Sequence, residues 1–305
     1  KTITESTIED DDWSNYGTLN GFSEYSIETF VLSDNISIVM NCVKALTPYD
    51  MLNLCNGVYD STGSAIWTGA LFWATAIPFL NHTLFFQKRI LELGAGTGFG
   101  GIALLSLLDD CQNPSDTDDI QHKQETLPTI VMTDSEESLV QICRENCRLN
   151  FEKNTTTFSK ISVQHLDWNQ PDPCHWNAYD VVFATDVVYD IDAIIPMLST
   201  ASTCLYDKDG SSGGGGLFML SHIPRASLMG SSKIASRHEM EDYIIHEANK
   251  FSFYPMDIIH ADDLKPKTNI KHSQCHEIIV DNSEASIMIF EKKGKRNNHE
   301  TCAIP

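Results

Sequence analysis

The feature that most constrains this chain is the glycine-rich run from Leu91 to Gly98, which reads Leu-Glu-Leu-Gly-Ala-Gly-Thr-Gly. The apolar segment Arg89 to Leu93 predicts a buried strand, and the residues after the run predict a helix to about Leu108. Glycines at such a junction allow positive φ and close approach of the backbone to a ligand, which the free N–H groups of the helix N-terminus face. The run therefore predicts a nucleotide-like ligand at the carboxyl end of a parallel sheet.

Strand-like and helix-like segments alternate along most of the remaining chain. The predicted strands are 129–133, 160–166, 180–184, 217–221, 253–259 and 285–291, and the predicted helices are 65–80, 136–150, 191–205 and 237–250. Such alternation is typical of a mostly parallel sheet with helices on both faces. We therefore expect an α/β fold of the Rossmann-like class.

The regions outside this alternation differ from it in composition. We expect an acidic flexible tail at 1–24, a β-hairpin extension at 25–62, the main α/β domain at 63–292 and a basic flexible tail at 293–305. Three polar segments are expected to be exposed insertions or loops: 109–128, 207–216 and 261–280.

Charge and cysteine usage restrict the partners and the compartment. The formal net charge of −21 disfavours direct binding of nucleic acid and favours a protein partner with a basic segment. We expect no membrane span, because no apolar run reaches the roughly 18 residues that a spanning helix needs.

The nine cysteines contain no Cys-x-x-Cys pair, which argues against a disulfide framework and against a metal site. We expect a monomer in the reducing cytoplasm, and the basic cluster 292–296 adds a weak nuclear-import signal.

Glu92, just before the glycines, bears on which ligand is bound. Residues 96–101 also satisfy the Gly-x-Gly-x-x-Gly pattern of dinucleotide-binding proteins, a weak match when it stands alone. An acidic group in this position suits a cationic amino-acid moiety better than a pyrophosphate. A tight turn without a ligand remains the structural alternative.

Acidic and aromatic residues follow the next two predicted strands. Asp134 can accept both ribose hydroxyls of an adenosine, with the alternative that it caps the helix at 135–150. Asp167 can reach an adenine amino group, and the indole of Trp168 can pack on the ring, although simple packing of that tryptophan remains open.

The fourth predicted strand delivers Thr185, Asp186 and Tyr189 to the same edge of the sheet. Asp186 and Tyr189 are three residues apart and can face one cleft. The alternative is that Asp186 caps the helix that begins near Ile191 and that Tyr189 only packs.

Taken in order, these segments resemble methyltransferase family 16, the seven-β-strand protein-lysine methyltransferases. The resemblance covers residues 25–292 and departs from the family at the insertions. The segments that carry it are 63–71, 91–98, Thr133-Asp134, Cys143 to Asn150 with Asn146 and Asn150, 166–168 and Asp186-Val187-Val188-Tyr189.

This resemblance implies a seven-stranded class I methyltransferase sheet, S-adenosyl-L-methionine as cofactor and a lysine ε-amine as acceptor. It implies an Asp-x-x-Tyr motif, Asp186 and Tyr189, at the substrate lysine, where Asp186 would capture and orient the amine. The family often has an arginine after the fifth strand, and 221–225 matches that feature loosely. The implied cofactor-binding residues are Trp67, Glu92, Gly94, Ala95, Gly96, Gly98, Asp134, Asp167, Trp168 and Thr185.

Three other functions remain open at this level. The acceptor could be a histidine, an arginine or a small molecule, since these need the same cofactor pocket. The dinucleotide-like glycine pattern allows an oxidoreductase. A module that binds the cofactor without turnover would keep the same fold.

Overall fold

The computed structural model describes residues 25–43, 61–112, 126–207, 215–264, 271–272 and 284–293. The predicted N-terminal tail, nearly all of the predicted C-terminal tail and most of the three predicted insertions lie outside these residues. Within the described parts, no helix is long and apolar enough to cross a membrane.

Ten strands and six α-helices make up the described fold. The strands are β1 (Tyr25–Val31), β2 (Ser37–Val43), β3 (Arg89–Leu93), β4 (Thr129–Asp134), β5 (Ile161–His165), β6 (Val181–Thr185), β7 (Leu217–His222), β8 (Phe253–His260), β9 (Lys271–His272) and β10 (Ser286–Lys292). The helices are α1 (Thr68–Ala76), α2 (Phe99–Gln112), α3 (Glu137–Phe151), α4 (Thr155–Phe158), α5 (Ile194–Cys204) and α6 (Arg237–Lys250).

Seven strands form the main sheet in the order β5-β4-β3-β6-β7-β10-β8. β3 pairs in parallel with both β4 and β6, while β10 runs antiparallel to its neighbours β7 and β8. The seven-stranded, mostly parallel sheet of a class I methyltransferase is therefore confirmed. Because the chain order reverses beside β3, the carboxyl ends of β3 and β6 flank the topological switch point, where open α/β sheets bind ligands.

Helices cover both faces of this sheet, as predicted. On one face Ile90, Phe183 and Met219 pack with α1, α2 and α3, and on the other Leu91, Val182 and Phe218 pack with α5 and α6. Neighbouring residues of a strand point to opposite faces, so a strand covered on both sides is apolar throughout. That is why β6 reads Val-Val-Phe-Ala-Thr and is buried along its length.

A separate three-stranded sheet has the order β2-β1-β9. β1 and β2 form the predicted hairpin, with Thr29 opposite Val39. The loop expected over 261–280 is wrong for Lys271–His272, since this short strand pairs with β1. Main-chain pairing needs no particular side chains, so a polar two-residue strand leaves no periodic signal.

Two predicted boundaries also move. The apolar segment expected as a helix over 65–80 forms α1 over Thr68–Ala76 and then a 3-10 turn over Ile77–Phe79, which contains Pro78. α2 continues to Gln112, four residues into the predicted insertion at 109–128. In both places the apolar pattern and the hydrogen-bonded helix end at different residues.

Candidate active site

A cavity of about 430 Å³ opens at the carboxyl ends of β3, β4 and β6. Ten of the twelve residues proposed from the sequence as site residues line it. They are Trp67, Gly94, Ala95, Gly96, Asp134, Asp167, Trp168, Thr185, Asp186 and Tyr189. The topology therefore brings together segments that are more than 100 residues apart in sequence.

The glycine turn forms the floor of this cavity with its backbone. Gly94 and Gly96 have positive φ angles of +66° and +52°. A Cβ atom at Gly96 would lie 2.4 Å from the carbonyl oxygen of Gly63, and one at Gly94 would lie 2.8 Å from Val187 Cγ1. The Ala95 N–H donates to the Thr133 carbonyl oxygen at 2.8 Å, which ties the turn to β4. Only glycine satisfies both the dihedral angles and the available space.

Asp134 supports the turn from the end of β4. Its Oδ2 accepts the Gly96 N–H at 3.0 Å, and its Oδ1 accepts the Glu136 N–H at 3.1 Å. The N-cap residue of α3 is Glu136, so the alternative that Asp134 caps this helix is wrong. The carboxylate lies in the cavity wall, and its role toward the ribose stays a prediction.

Trp168 and Asp167 form the wall beyond the end of β5. The ring atom Cζ2 of Trp168 would lie 3.2 Å from a Cβ at Gly94, so the indole stands directly over the glycine turn. Asp167 Oδ1 accepts the Asn169 N–H at 2.8 Å. An aromatic ring beside a backbone cradle is suited to packing against a purine.

Glu92 and Gly98 do not line the cavity. Glu92 is fully buried, and its Oε2 accepts the Gly101 N–H at 3.0 Å. Within the described part of the chain its Oε1 has no hydrogen-bond partner. Burial, with a smaller contribution from the charge of Asp134, raises the pKa of Glu92 to about 8. The structure therefore places the side chain of Glu92 under the start of α2 and outside the cavity wall, and its expected contact with the ligand stays a prediction.

Gly98 also lies behind the turn. Its φ is +85°, and a Cβ there would lie 2.6 Å from Cys143 Sγ of α3. Gly98 therefore lets α3 pack closely against the turn, and its expected contact with the ligand stays a prediction.

Asp186 occupies a crowded position at the end of β6. Its side chain is only 2 % exposed, and its Oδ2 accepts the Gly69 N–H at 2.7 Å. The same oxygen accepts from Arg225 Nη2 at 2.5 Å. Burial raises the pKa of Asp186, while the Arg225 charge and the backbone N–H groups oppose that shift. This carboxylate is paired with a cation of the protein itself, and its expected role in capturing and orienting a substrate amine stays a prediction.

Tyr189, the other half of the predicted motif, is 46 % exposed and lines the same cavity as Asp186. The 3-10 turn at Ile191–Ala193 is capped by Asp190, whose side chain accepts the Asp192 N–H. The alternative that Asp186 caps the following helix is therefore wrong. The predicted pair does face one cleft, with Asp186 buried and Tyr189 at the mouth.

Arg225 is a site residue that the sequence indicated only loosely. Its guanidinium lies 4.3 Å from the centroid of the Trp67 ring, in addition to its ion pair with Asp186. Ser221 Oγ donates to the Gly69 carbonyl oxygen at 2.7 Å, which fixes the start of α1 to β7. The signal was an arginine soon after a predicted strand, but nothing in the local pattern shows that it reaches Trp67.

The charge of the cavity wall has a single sign. Its lining residues, all in the described part of the chain, include no Lys, Arg or His. The acids that line it are Asp134, Glu136, Asp167, Asp186 and Asp192. A wall of this kind favours a cationic ligand and disfavours a pyrophosphate, which argues against the dinucleotide-dependent alternative.

These residues fit S-adenosylmethionine. The cofactor carries a positive sulfonium and an α-ammonium group, which suit an acidic wall. The backbone cradle at Gly94 and Gly96 leaves room for a ligand that approaches the main chain closely. Asp134 and Trp168 offer a carboxylate for hydroxyl groups and a ring for the base.

Comparison with known proteins places this arrangement in a family. The family model described as lysine methyltransferase matches residues 47–211, which is more than half of the chain. Methyltransferase-like protein 22 of Mus musculus is 27 % identical over 163 residues, covering 48 % of this chain and 36 % of the relative. Protein-lysine N-methyltransferase EEF2KMT of Homo sapiens is 26 % identical over 151 residues, covering 46 % of this chain and 39 % of the relative.

The chain thus spans little more than a third of the length of these relatives. Among solved structures, a TehB-like SAM-dependent methyltransferase from Corynebacterium glutamicum is 16 % identical, covers 81 % of this chain and 100 % of its own, and has a TM-score of 0.42. On the match of the family model, the chain belongs to the lysine methyltransferase family, whose cofactor is S-adenosylmethionine.

Proposed function

We propose that the protein transfers a methyl group from S-adenosylmethionine to a lysine ε-amine in a basic segment of a protein substrate. The observation that carries this proposal is the cavity at the switch point, whose charged lining residues within the described part of the chain are all acidic. The family match and the name of the human relative support the choice of lysine as acceptor.

On the cofactor side the chain binds and orients. Bound S-adenosylmethionine supplies an electrophilic methyl group. The turn at Gly94 and Gly96 would cradle the methionine part, Asp134 would hold the ribose, and Trp168 would pack on the adenine. Fixing the donor in one orientation lowers the entropic part of the barrier to a direct displacement.

On the acceptor side the chain must receive an amine without its proton. A free lysine amine has a pKa near 10.4, and an unpaired carboxylate beside it would raise that pKa further. The ion pair with Arg225 offsets the charge of Asp186, so the pair presents little net charge to the amine. Tyr189, exposed at the mouth, offers a ring and a hydroxyl to orient the lysine side chain.

The charge of the whole chain supports a basic partner. A formal net charge of −21 attracts a cationic segment and repels phosphate backbones. We therefore propose a protein substrate with a basic segment rather than direct binding of nucleic acid. A monomer that acts in the cytoplasm and nucleus is consistent with the scattered cysteines and the basic cluster 292–296.

The test is transfer of a labelled methyl group to proteins of a cell lysate, followed by acid hydrolysis and amino-acid analysis of the label. We expect label in methyllysine, and we expect Asp134→Asn to abolish most of it. Asp257→Asn, an exposed acid on β8 at the far edge of the sheet, serves as the matched control and should label like the wild type.

The other outcomes identify the alternatives. Label in methylhistidine or methylarginine would replace lysine as the acceptor. Cofactor binding by calorimetry without any incorporated label would favour the non-catalytic module, and nicotinamide dinucleotide binding instead of S-adenosylmethionine binding would favour an oxidoreductase.

A further inference from the structure

The N-terminal hairpin is attached to the main domain by two asparagine side chains of α3. Among the described strands, β2 lies at the edge of its small sheet, so one row of its main-chain groups pairs with none of the other described strands. Asn146 and Asn150, one helical turn apart, face that row. Four residues of helix rise about 6 Å, and two residues of strand rise about 6.7 Å, so the two spacings match.

Each asparagine pairs with one strand residue as a neighbouring peptide group would. Asn150 Oδ1 accepts the Val39 N–H at 2.8 Å, and its Nδ2 donates to the Val39 carbonyl oxygen at 2.7 Å. Asn146 Oδ1 accepts the Asn41 N–H at 2.6 Å, and its Nδ2 donates to the Asn41 carbonyl oxygen at 3.1 Å. The edge of β2 is thereby satisfied by side chains instead of by another strand.

The second N–H of each amide has a different destination. Asn150 Nδ2 donates to the carbonyl oxygen of Asn146 in its own helix. Asn146 Nδ2 donates instead to the carbonyl oxygen of Thr97 at 2.9 Å. Thr97 belongs to the glycine turn and lines the cavity. One fully buried amide therefore joins the hairpin to the floor of the cofactor site.

We propose that Asn146 is a positioning residue that couples docking of the hairpin to binding of the cofactor. The hairpin, residues 25–43, lies outside the part of the chain that the family model matches. The inference goes beyond the proposed methyl transfer and does not depend on the acceptor. A cofactor that orders the glycine turn fixes the Thr97 carbonyl, which holds the Asn146 amide and through it β2. By thermodynamic linkage, a docked hairpin strengthens cofactor binding by the same factor.

The first test needs no variant. Hydrogen exchange is measured on the full chain with and without S-adenosylhomocysteine, the demethylated form of the cofactor. We expect the ligand to slow exchange of the Val39 and Asn41 amides as well as those of the glycine turn. Binding without slower exchange in β2 would overturn the coupling alone. A complete lack of binding would overturn the coupling and the cofactor assignment together.

The second test uses the two asparagines as a matched pair. Both alanine variants remove the pairing of one β2 residue, but only Asn146→Ala removes the bond to Thr97. Calorimetry with S-adenosylhomocysteine should show a Kd about tenfold higher for Asn146→Ala, the size of one lost buried hydrogen bond, and less than about twofold higher for Asn150→Ala. Protection of β2 by the ligand should persist in Asn150→Ala and vanish in Asn146→Ala. Equal changes in Kd for the two variants would overturn the proposal.

Discussion

The two sides of the cavity are built in different ways. The cofactor side is mainly backbone, a turn of consecutive residues over 94–98 tied to the end of β4. The acceptor side is made of side chains from separate segments: Asp186 at the end of β6 and Trp67 before α1 line it. Arg225, after β7, does not line the cavity but contacts both of these residues. The glycine turn depends on the absence of side chains, and the ion pair depends on the presence of two.

This difference determines what each side can tolerate. A backbone cradle loses its shape when any Cβ is added at Gly94 or Gly96, whatever the charge of the new residue. The ion pair tolerates changes of shape but not an unpaired charge, because Asp186 is buried. Substitutions on the acceptor side should therefore affect folding stability most, and those on the cofactor side should affect affinity most.

The largest expected effect is on the acceptor side, with Arg225→Met. This change leaves a buried carboxylate without its cation, and we expect it to lower the free energy of unfolding at pH 7 by about 3 kcal/mol. Without Arg225 the pKa of Asp186 rises further, so the folded variant takes up a proton already at a higher pH than the wild type. The loss should therefore shrink as the pH falls, which denaturant unfolding at pH 7 and pH 5 would show.

Arg144→Met is the matched control for that loss. Arg144 pairs with Glu137 at 3.3 Å, but the two side chains are 46 % and 58 % exposed. Exposed pairs contribute about 0.5 kcal/mol or less. If Arg225→Met and Arg144→Met lowered the free energy of unfolding by similar amounts, burial would not make the Asp186–Arg225 pair more stabilising than an exposed pair.

On the cofactor side, Gly96→Ala should raise the Kd for S-adenosylhomocysteine about a hundredfold. The added Cβ meets the Gly63 carbonyl oxygen and sits at a positive φ, and strain of this kind costs about 1–3 kcal/mol before the clash is counted. Calorimetry measures this change directly.

Gly230→Ala tests whether backbone strain at a position away from the glycine turn also weakens cofactor binding. Gly230 also has a positive φ, +77°, but a Cβ there meets nothing within 4 Å. It should lose about 1 kcal/mol of stability and keep the wild-type affinity. An equal loss of affinity in Gly96→Ala and Gly230→Ala would contradict the idea that cofactor affinity depends on the glycine turn in particular.

Glu92→Gln sharpens the comparison, because Glu92 is a fully buried acid next to the glycine turn of the cofactor side. Its pKa is about 8 in the folded protein against 4.5 in an ordinary environment, so between these values the folded state holds a proton that the unfolded state releases. The contribution of Glu92 to the free energy of unfolding should therefore be fully present below about pH 4.5 and be lost as the pH rises through 8, by up to about 1.4 kcal/mol per pH unit.

The Glu92→Gln variant should lack this decline, as thermal unfolding across the range would show. His222, whose burial lowers its pKa to about 4, acts in the opposite direction in both proteins, so the difference between them isolates Glu92. Parallel profiles for the two proteins would show that Glu92 is charged when folded.

The same comparison shows which parts the sequence could predict. The glycine turn, the strand ends and the Asp-x-x-Tyr pair are local patterns, and ten of the twelve chosen residues line one cavity. The position of the Glu92 side chain could not be predicted, because spacing along a strand does not reveal whether a side chain turns toward the cavity or under the helix. The Asp186–Arg225 pair, the Asn146 contacts and β9 depend on contacts between distant segments, which no local pattern contains.

The smallest expected effect concerns the mouth of the cavity. Tyr189→Ala should lower methyl transfer about fivefold, since an exposed ring contributes about 1 kcal/mol to orienting a cation. Stability and the Kd for S-adenosylhomocysteine should stay at wild-type values, because Tyr189 lies on the acceptor side. Tyr254 on β8 is similarly exposed, 44 % against 46 %, and Tyr254→Ala should leave transfer unchanged. If Tyr189→Ala weakened cofactor binding instead, Tyr189 would contribute to both sides of the cavity. The division into a cofactor side and an acceptor side would then not hold for this residue.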